Sequence, residues 1–149
     1  MTIVVKDIMS KEVVTIDAGR SVLEASQLMR DKGVGCLIVV SEGRAVGIIT
    51  ERDLVSRVMA QSLDPANTLV SSVMSAPLYT VDPNLDVGSA AELMKKHKVR
   101  RLPVVEDGLL KGLVTSTDLA RSLAEEKKPE SLFLDAIARV SKPPEHGPY

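Results

Sequence analysis

Apolar and polar positions fall along the chain in blocks whose period switches between that of a strand and that of a helix. Val13 to Ile16 is a short β-branched run, predicted as a strand. In Ser21-Val22-Leu23-Glu24, Ser21 can cap a helix and Glu24 can return a bond to the cap. Val22, Ala25, Leu28 and Met29 then keep helical spacing as far as Gly33, which suits a left-handed helix end. Two nearly continuous apolar runs, Cys36 to Val40 and Ala45 to Thr50, flank Glu42-Gly43, a hairpin signal. They are predicted as central strands covered on both faces. Thr50 opens a second helix to about Gln61, with Leu54, Val55, Val58 and Met59 on one side.

The pattern then recurs. A shift of about 65 residues lays Val5–Leu54 on Val70–Leu119 without a gap. Met9-Ser10 falls on Met74-Ser75, Thr15 and Asp17 on Thr80 and Asp82, and Gly43 and Gly47 on Gly108 and Gly112. Each copy therefore reads strand, helix, strand, strand, helix, an α/β (α+β) arrangement. Two copies are too few for an open solenoid, so two halves packed about a pseudo-twofold axis are expected. The expected division is residues 1–61, a linker at 62–69 marked by Asp64-Pro65 and Asn67, a second repeat at 70–127, and a tail at 128–149. In the tail, Phe133, Ala136, Ile137 and Val140 predict an amphipathic helix, and proline-rich Lys142 to Tyr149 is expected to be disordered.

Composition narrows the function classes. The chain has 149 residues, 44% hydrophobic and 26% charged, the balance of a globular protein without room for an additional catalytic domain of ordinary size. A formal charge of -1 and 2% aromatic residues give little basis for nucleic-acid binding or an anionic membrane. The start lacks a signal-peptide pattern and no apolar stretch is long enough to span a bilayer, so a cytoplasmic location is expected. The lone Cys36, on an apolar run, reads as a core thiol, and His97 as the exposed end of a helix with no partner at metal spacing.

The informative motif is Gly47-Ile48-Ile49-Thr50-Glu51-Arg52-Asp53, repeated as Gly112-Leu113-Val114-Thr115-Ser116-Thr117-Asp118. A Thr with an acid three positions on is close to a capping box, stable without any ligand. The functional reading places a glycine-flanked turn between strand and helix, with free helix N–H groups for a phosphate and an Asp carboxylate for the two hydroxyls of a ribose.

These segments, with Ile8-Met9-Ser10, Thr15 and Val34 to Val40, resemble the tandem domains named after cystathionine β-synthase (CBS), the Bateman module, over about four-fifths of the chain. The resemblance implies two clefts between the halves that bind adenosine-containing ligands: AMP, ADP or ATP first, S-adenosylmethionine as a further candidate. It makes Asp53 and Asp118 ribose ligands with Thr50 and Thr115 beside them, and puts Val13, Val14, Leu78 and Tyr79 near the adenines. Arg100 and Arg101, just before the second strand of the second copy, become phosphate ligands, and Arg52, where the second copy has Thr117, a further positive group. Gly35 and Cys36 stand where the second copy has Arg100 and Arg101, so unequal sites are expected.

The expected function is a regulatory, non-enzymatic adenine-nucleotide sensor acting on an unidentified effector protein. The alternative is a ligand-free dimerisation or interaction scaffold. An acid–base pair built from Asp53 and Asp118 is the enzymatic reading, and hydroxyl recognition explains both residues without it. A homodimer is expected, from Leu54, Val58, Leu119 and Leu123 and from the resemblance.

Overall fold

The computed structural model describes residues 2–126 and 148–149. They form two compact units: Val13–Leu78, and the residues up to Glu12 together with the chain from Tyr79 onward. Sequence repeat and packing unit thus cut the chain differently, because the segment ahead of each copy's first strand packs with the other copy. The tail helix expected around Phe133 to Val140 lies outside the described residues.

In the first unit, β1 (Thr15–Asp17) runs parallel to β2 (Cys36–Ser41), which pairs antiparallel with β3 (Arg44–Thr50). Between β1 and β2 lies α1 (Val22–Lys32). The Ser21 hydroxyl accepts the Glu24 N–H at 3.1 Å, and the Glu24 carboxylate accepts from the Ser21 hydroxyl at 3.5 Å and from Arg20 at 3.2 Å. Gly33 closes the helix at φ 66°, as the pattern predicted. Glu42 at φ 51° and Gly43 at φ 78° turn β2 into β3, the left-handed pair of a type I′ hairpin. Leu37 and Val39 join Val22, Ala25, Met29, Ile49, Val58 and Val70 in the core, while Ile38 and Ile48, on the other face of the sheet, are also fully buried. Burial on both faces is what continuous runs of Val, Ile and Leu require.

The helix predicted after Thr50 is not regular. α2 (Glu51–Asp53) passes into a π-helix, Leu54–Met59, with the Ala60 N–H donating to the Val55 carbonyl at 2.8 Å. The wider turn rotates Val55 and Met59 away from the side that buries Val58, leaving them 56% and 75% exposed. Val58 and Leu119, assigned above to a dimer face, are buried within their own units. A turn of 3-10 helix, Pro65–Asn67, and the short α3 (Val70–Val73) complete the unit.

The second unit repeats the plan with α4 (Val87–His97), β4 (Arg101–Glu106), β5 (Leu109–Thr115) and α5 (Ser116–Glu126). Asp86 replaces the Ser21 cap, accepting the Ser89 N–H at 2.9 Å and hydroxyl at 2.7 Å, and these bonds hold its carboxyl below the ordinary range. Asp107 and Gly108, at φ 53° and 78°, repeat the type I′ turn. The first strand does not repeat: it shrinks to one parallel bridge, Val81 to Val104. In the first unit Ile38 donates its N–H to the Val14 carbonyl at 3.0 Å; the equivalent of Ile38 is Pro103, which has no N–H to give.

The repeated Met-Ser pairs explain the repeated glycines. Ser75 pairs antiparallel with Ile48 on the outer side of β3, and Ser10 pairs with Leu113 on the outer side of β5. A Cβ on Gly47 would lie 2.6 Å from the Met74 Sδ and 2.9 Å from the Ser75 carbonyl oxygen. One on Gly112 would lie 2.6 Å from the Ser10 carbonyl oxygen and 2.7 Å from the Met9 Sδ. Both glycines therefore sit inside strands, where another backbone crosses them, rather than flanking a turn as the motif had implied. Among the described residues, no helix is long and apolar enough to cross a membrane.

Candidate functional site

Each unit carries one Thr-x-x-Asp turn at the junction of its last strand and last helix. In the first unit the Asp53 Oδ2 accepts the Thr50 N–H at 2.8 Å and the Thr50 hydroxyl at 3.1 Å, while the Thr50 Oγ1 accepts the Asp53 N–H at 3.3 Å. In the second the Asp118 Oδ2 accepts the Thr115 N–H at 2.9 Å, and the Thr115 Oγ1 accepts the Asp118 N–H at 3.2 Å. Both motifs are thus full capping boxes, which fix each carboxylate with Oδ1 directed elsewhere. The Oδ1 atoms lie 3.6 Å from the Arg57 Nε and 3.7 Å from an Arg121 amino group. Arg57 also donates to the Val73 carbonyl at 2.9 Å. Neither arginine is marked by a motif in the sequence; their signal is their spacing, four residues beyond Asp53 and three beyond Asp118 on one helical side.

The helix N-termini are less open than expected. Glu51 donates its N–H to the Gly35 carbonyl at 3.0 Å, and Ser116 to the Arg100 carbonyl at 2.9 Å. With Asp53 and Asp118 bonded to their threonines, the first and third amides of each helix are engaged. These same bonds tie the residue at the strand start, Gly35 or Arg100, to the Thr-x-x-Asp turn of its own unit.

Here the two units differ in charge. A Cβ on Gly35 would lie 2.7 Å from the Glu51 Oε1, so an acid fills the side-chain direction at that position. The second unit has Arg100 there, half-buried, and the small Ser116 in place of Glu51. Arg101, also half-buried, pairs in register with Thr115. Arg52 and Thr117 are exposed in the first helical turns, and Val13 and Val14 are half-buried just ahead of β1. Leu78 ends the first unit, and Tyr79 opens the longer segment of the second.

Tyr79 is where the second unit departs most from expectation. Its ring stacks on His97 at 3.9 Å between centroids and 15° between planes, so His97 is half-buried against an aromatic face rather than an exposed helix end. Its N–H donates to the Tyr149 hydroxyl at 2.7 Å. Tyr149, inside the stretch expected to be disordered, is only 7% exposed. Cys36, at the start of β2, is half-buried rather than a core thiol.

Burial is the largest influence on Asp53 and pushes its carboxyl above the ordinary carboxylate range, against the opposing pull of the Thr50 bonds and of Arg57 and Arg52. A folded-state pKa above the unfolded one gives stability that is complete below the unfolded value and is lost as pH rises through the folded value. Asp53→Asn keeps an acceptor for the Thr50 N–H and removes the titration. Its melting temperature is expected to exceed the parent's at pH 8 and to converge on it as the pH falls into the acid range. Thermal melts across that range check this; a difference independent of pH contradicts it.

The CBS domain pattern matches residues 5–60 and again 70–125. The chain belongs to the CBS domain family. The CBS domain-containing protein YhcV of Bacillus subtilis is 40% identical over 116 residues, covering 78% of this chain and 82% of its own. The CBS domain pair of protein MJ0100, solved in complex with 5′-methylthioadenosine and S-adenosyl-L-methionine, superposes with a TM-score of 0.75 at 30% identity, over 85% of this chain and all of that one. A hexameric CBS-CP12 protein from bloom-forming cyanobacteria superposes with a TM-score of 0.77 at 33% identity, over 91% of this chain and 80% of that one. The chain is a CBS pair, a regulatory module that carries the Thr-x-x-Asp turn once in each unit.

Proposed function

We propose that this CBS pair senses adenosine-containing ligands through its two Thr-x-x-Asp turns and passes their occupancy to a partner protein, without catalysing a reaction. The observation that carries the proposal is the opposite charge at one repeated position, Arg100 in the second unit and Glu51 over Gly35 in the first. A capping role alone calls for no such difference, whereas ligands of different charge do. Asp118 holds a ribose through the oxygen its threonine leaves available, with Arg100 and Arg101 drawing phosphates, so AMP, ADP and ATP belong to the second unit. Asp53 does the same beside an acid, which suits a neutral or cationic adenosyl compound. The MJ0100 complex supports the ligand class.

A thermal-shift series with AMP, ADP, ATP, 5′-methylthioadenosine and S-adenosylmethionine tests this. Ligand at a hundred times its dissociation constant stabilises the fold by about 2.7 kcal/mol. No shift with any of the five at millimolar concentration would leave the second reading, a ligand-free scaffold, which the self-sufficient capping boxes favour.

Self-association belongs to the same proposal. Val55, Met59 and Leu63, exposed on and after the π-helix, form the apolar face for a homodimer. Light scattering at micromolar concentration is expected to show a dimer that Met59→Asp converts to monomer; a parent protein already monomeric contradicts it.

A further inference from the structure

Tyr149 is held at both of its polar ends. Its hydroxyl accepts the Tyr79 N–H at 2.7 Å, and its main-chain oxygen accepts the Arg100 N–H at 2.6 Å. Its ring lies 6.3 Å from that of Tyr79, tilted by 34°, so the Tyr79 ring has His97 stacked on it and Tyr149 beside it. The Tyr79 amide that donates to the phenol lies two residues ahead of the Val81 bridge, which is all that remains of the first strand in this unit. These two amides belong to residues that the adenosyl reading assigns to the ligand: Tyr79 beside the base and Arg100 beside the phosphate. A planar ring with an acceptor atom against the Tyr79 amide is also the chemistry by which a backbone N–H meets an adenine nitrogen.

Resting on that reading of the second unit, we propose that Tyr149 is a built-in occupant of the Tyr79–Arg100 surface, and that an adenosyl ligand binds there only by displacing it. Burial raises the phenol's pKa above its ordinary value, so the docked group is the neutral phenol at neutral pH. The ligand's apparent affinity is reduced by the fraction of molecules in which Tyr149 is docked. Occupancy of the site thereby becomes release of Tyr149, a change that a partner can read.

Calorimetry with AMP on the full chain, paired with NMR of the Tyr79 and Arg100 amides and of the Tyr149 ring, tests the proposal. Tyr149→Ala is expected to bind AMP at least about tenfold more tightly than the parent, the effect of a competitor docked nine-tenths of the time or more. Tyr149→Phe, which keeps the ring and loses the hydroxyl, is expected to fall between the two. In the parent, saturating AMP moves the Tyr149 ring signals to those of an undocked tyrosine. Equal AMP affinity in parent and Tyr149→Ala, with the ring signals unmoved, overturns the displacement while leaving adenosyl binding intact. Tyr79 and Arg100 amides unchanged by Tyr149→Ala overturn the docking itself. Absence of binding in every form overturns the adenosyl reading and the displacement together.

Discussion

Gly112→Ala is expected to destabilise the protein by about 3 kcal/mol, lowering the melting temperature by roughly 6–12 °C, far beyond the propensity difference between Gly and Ala. The methyl group would meet a backbone oxygen, that of Ser10, at 2.6 Å, and a carbonyl held by its own ladder bonds cannot swing aside as a side chain can. Ser10 and Leu113 exchange both N–H···O bonds at 2.9 Å, so relieving the clash means lifting the whole Met9-Ser10 crossing from β5. Gly47→Ala is expected to cost less: its nearest contact is the flexible Met74 Sδ, and the Ser75 oxygen stands 2.9 Å away. Urea unfolding of the two variants checks the order, and hydrogen exchange at Ser10 and Leu113 shows whether the crossing has opened. Equal midpoints for Gly112→Ala and the parent would show that the crossing is loose.

Where local chemistry decides, the sequence was sufficient. Ser21, Gly33 and the two acid-glycine turns act over four residues or fewer, and the structure has each of them where the pattern put it. The role of Gly47 and Gly112 was not legible, because what excludes a side chain there comes from the other copy, tens of residues away. Read alone, each glycine looked like part of a turn. Pro103 was visible, but its effect on the strand before it depends on knowing which carbonyl its missing N–H would have met. The π-helix left no local mark, since Leu54 to Met59 satisfies an α-helical pattern equally well. Within the site, the Thr-Asp pairs were legible and the charge reversal only half so: Arg100 opposite Gly35 could be aligned, but Glu51 filling the empty place needed coordinates. Tyr149 had no signal, because a single aromatic residue after a proline-rich stretch carries no periodicity.

Asp118→Ala is expected to lower affinity for AMP and for adenosine alike, by a factor of ten to more than a hundred, the loss of a charge-assisted bond worth about 1.5–3 kcal/mol. On the proposed reading the carboxylate addresses the ribose, which both ligands share. Arg100→Ala is expected to weaken AMP by a similar factor and to spare adenosine, because on that reading its guanidinium addresses only the phosphate. Asp53→Ala is expected to leave the AMP site of the second unit intact, since the first unit offers Glu51 where the second offers Arg100, and to reduce binding of an uncharged or cationic adenosyl compound instead. The Thr115 cap loses its carboxylate in Asp118→Ala, at a stability cost of about 1 kcal/mol, so affinities are compared at a temperature where every variant is folded.

The most direct single measurement is calorimetric titration of AMP and of adenosine into the parent and Arg100→Ala side by side. Adenosine bound equally by both and AMP bound at least about tenfold more weakly by the variant is the expected result. AMP bound equally by both, or by neither, would contradict a phosphate-reading half-site in the second unit.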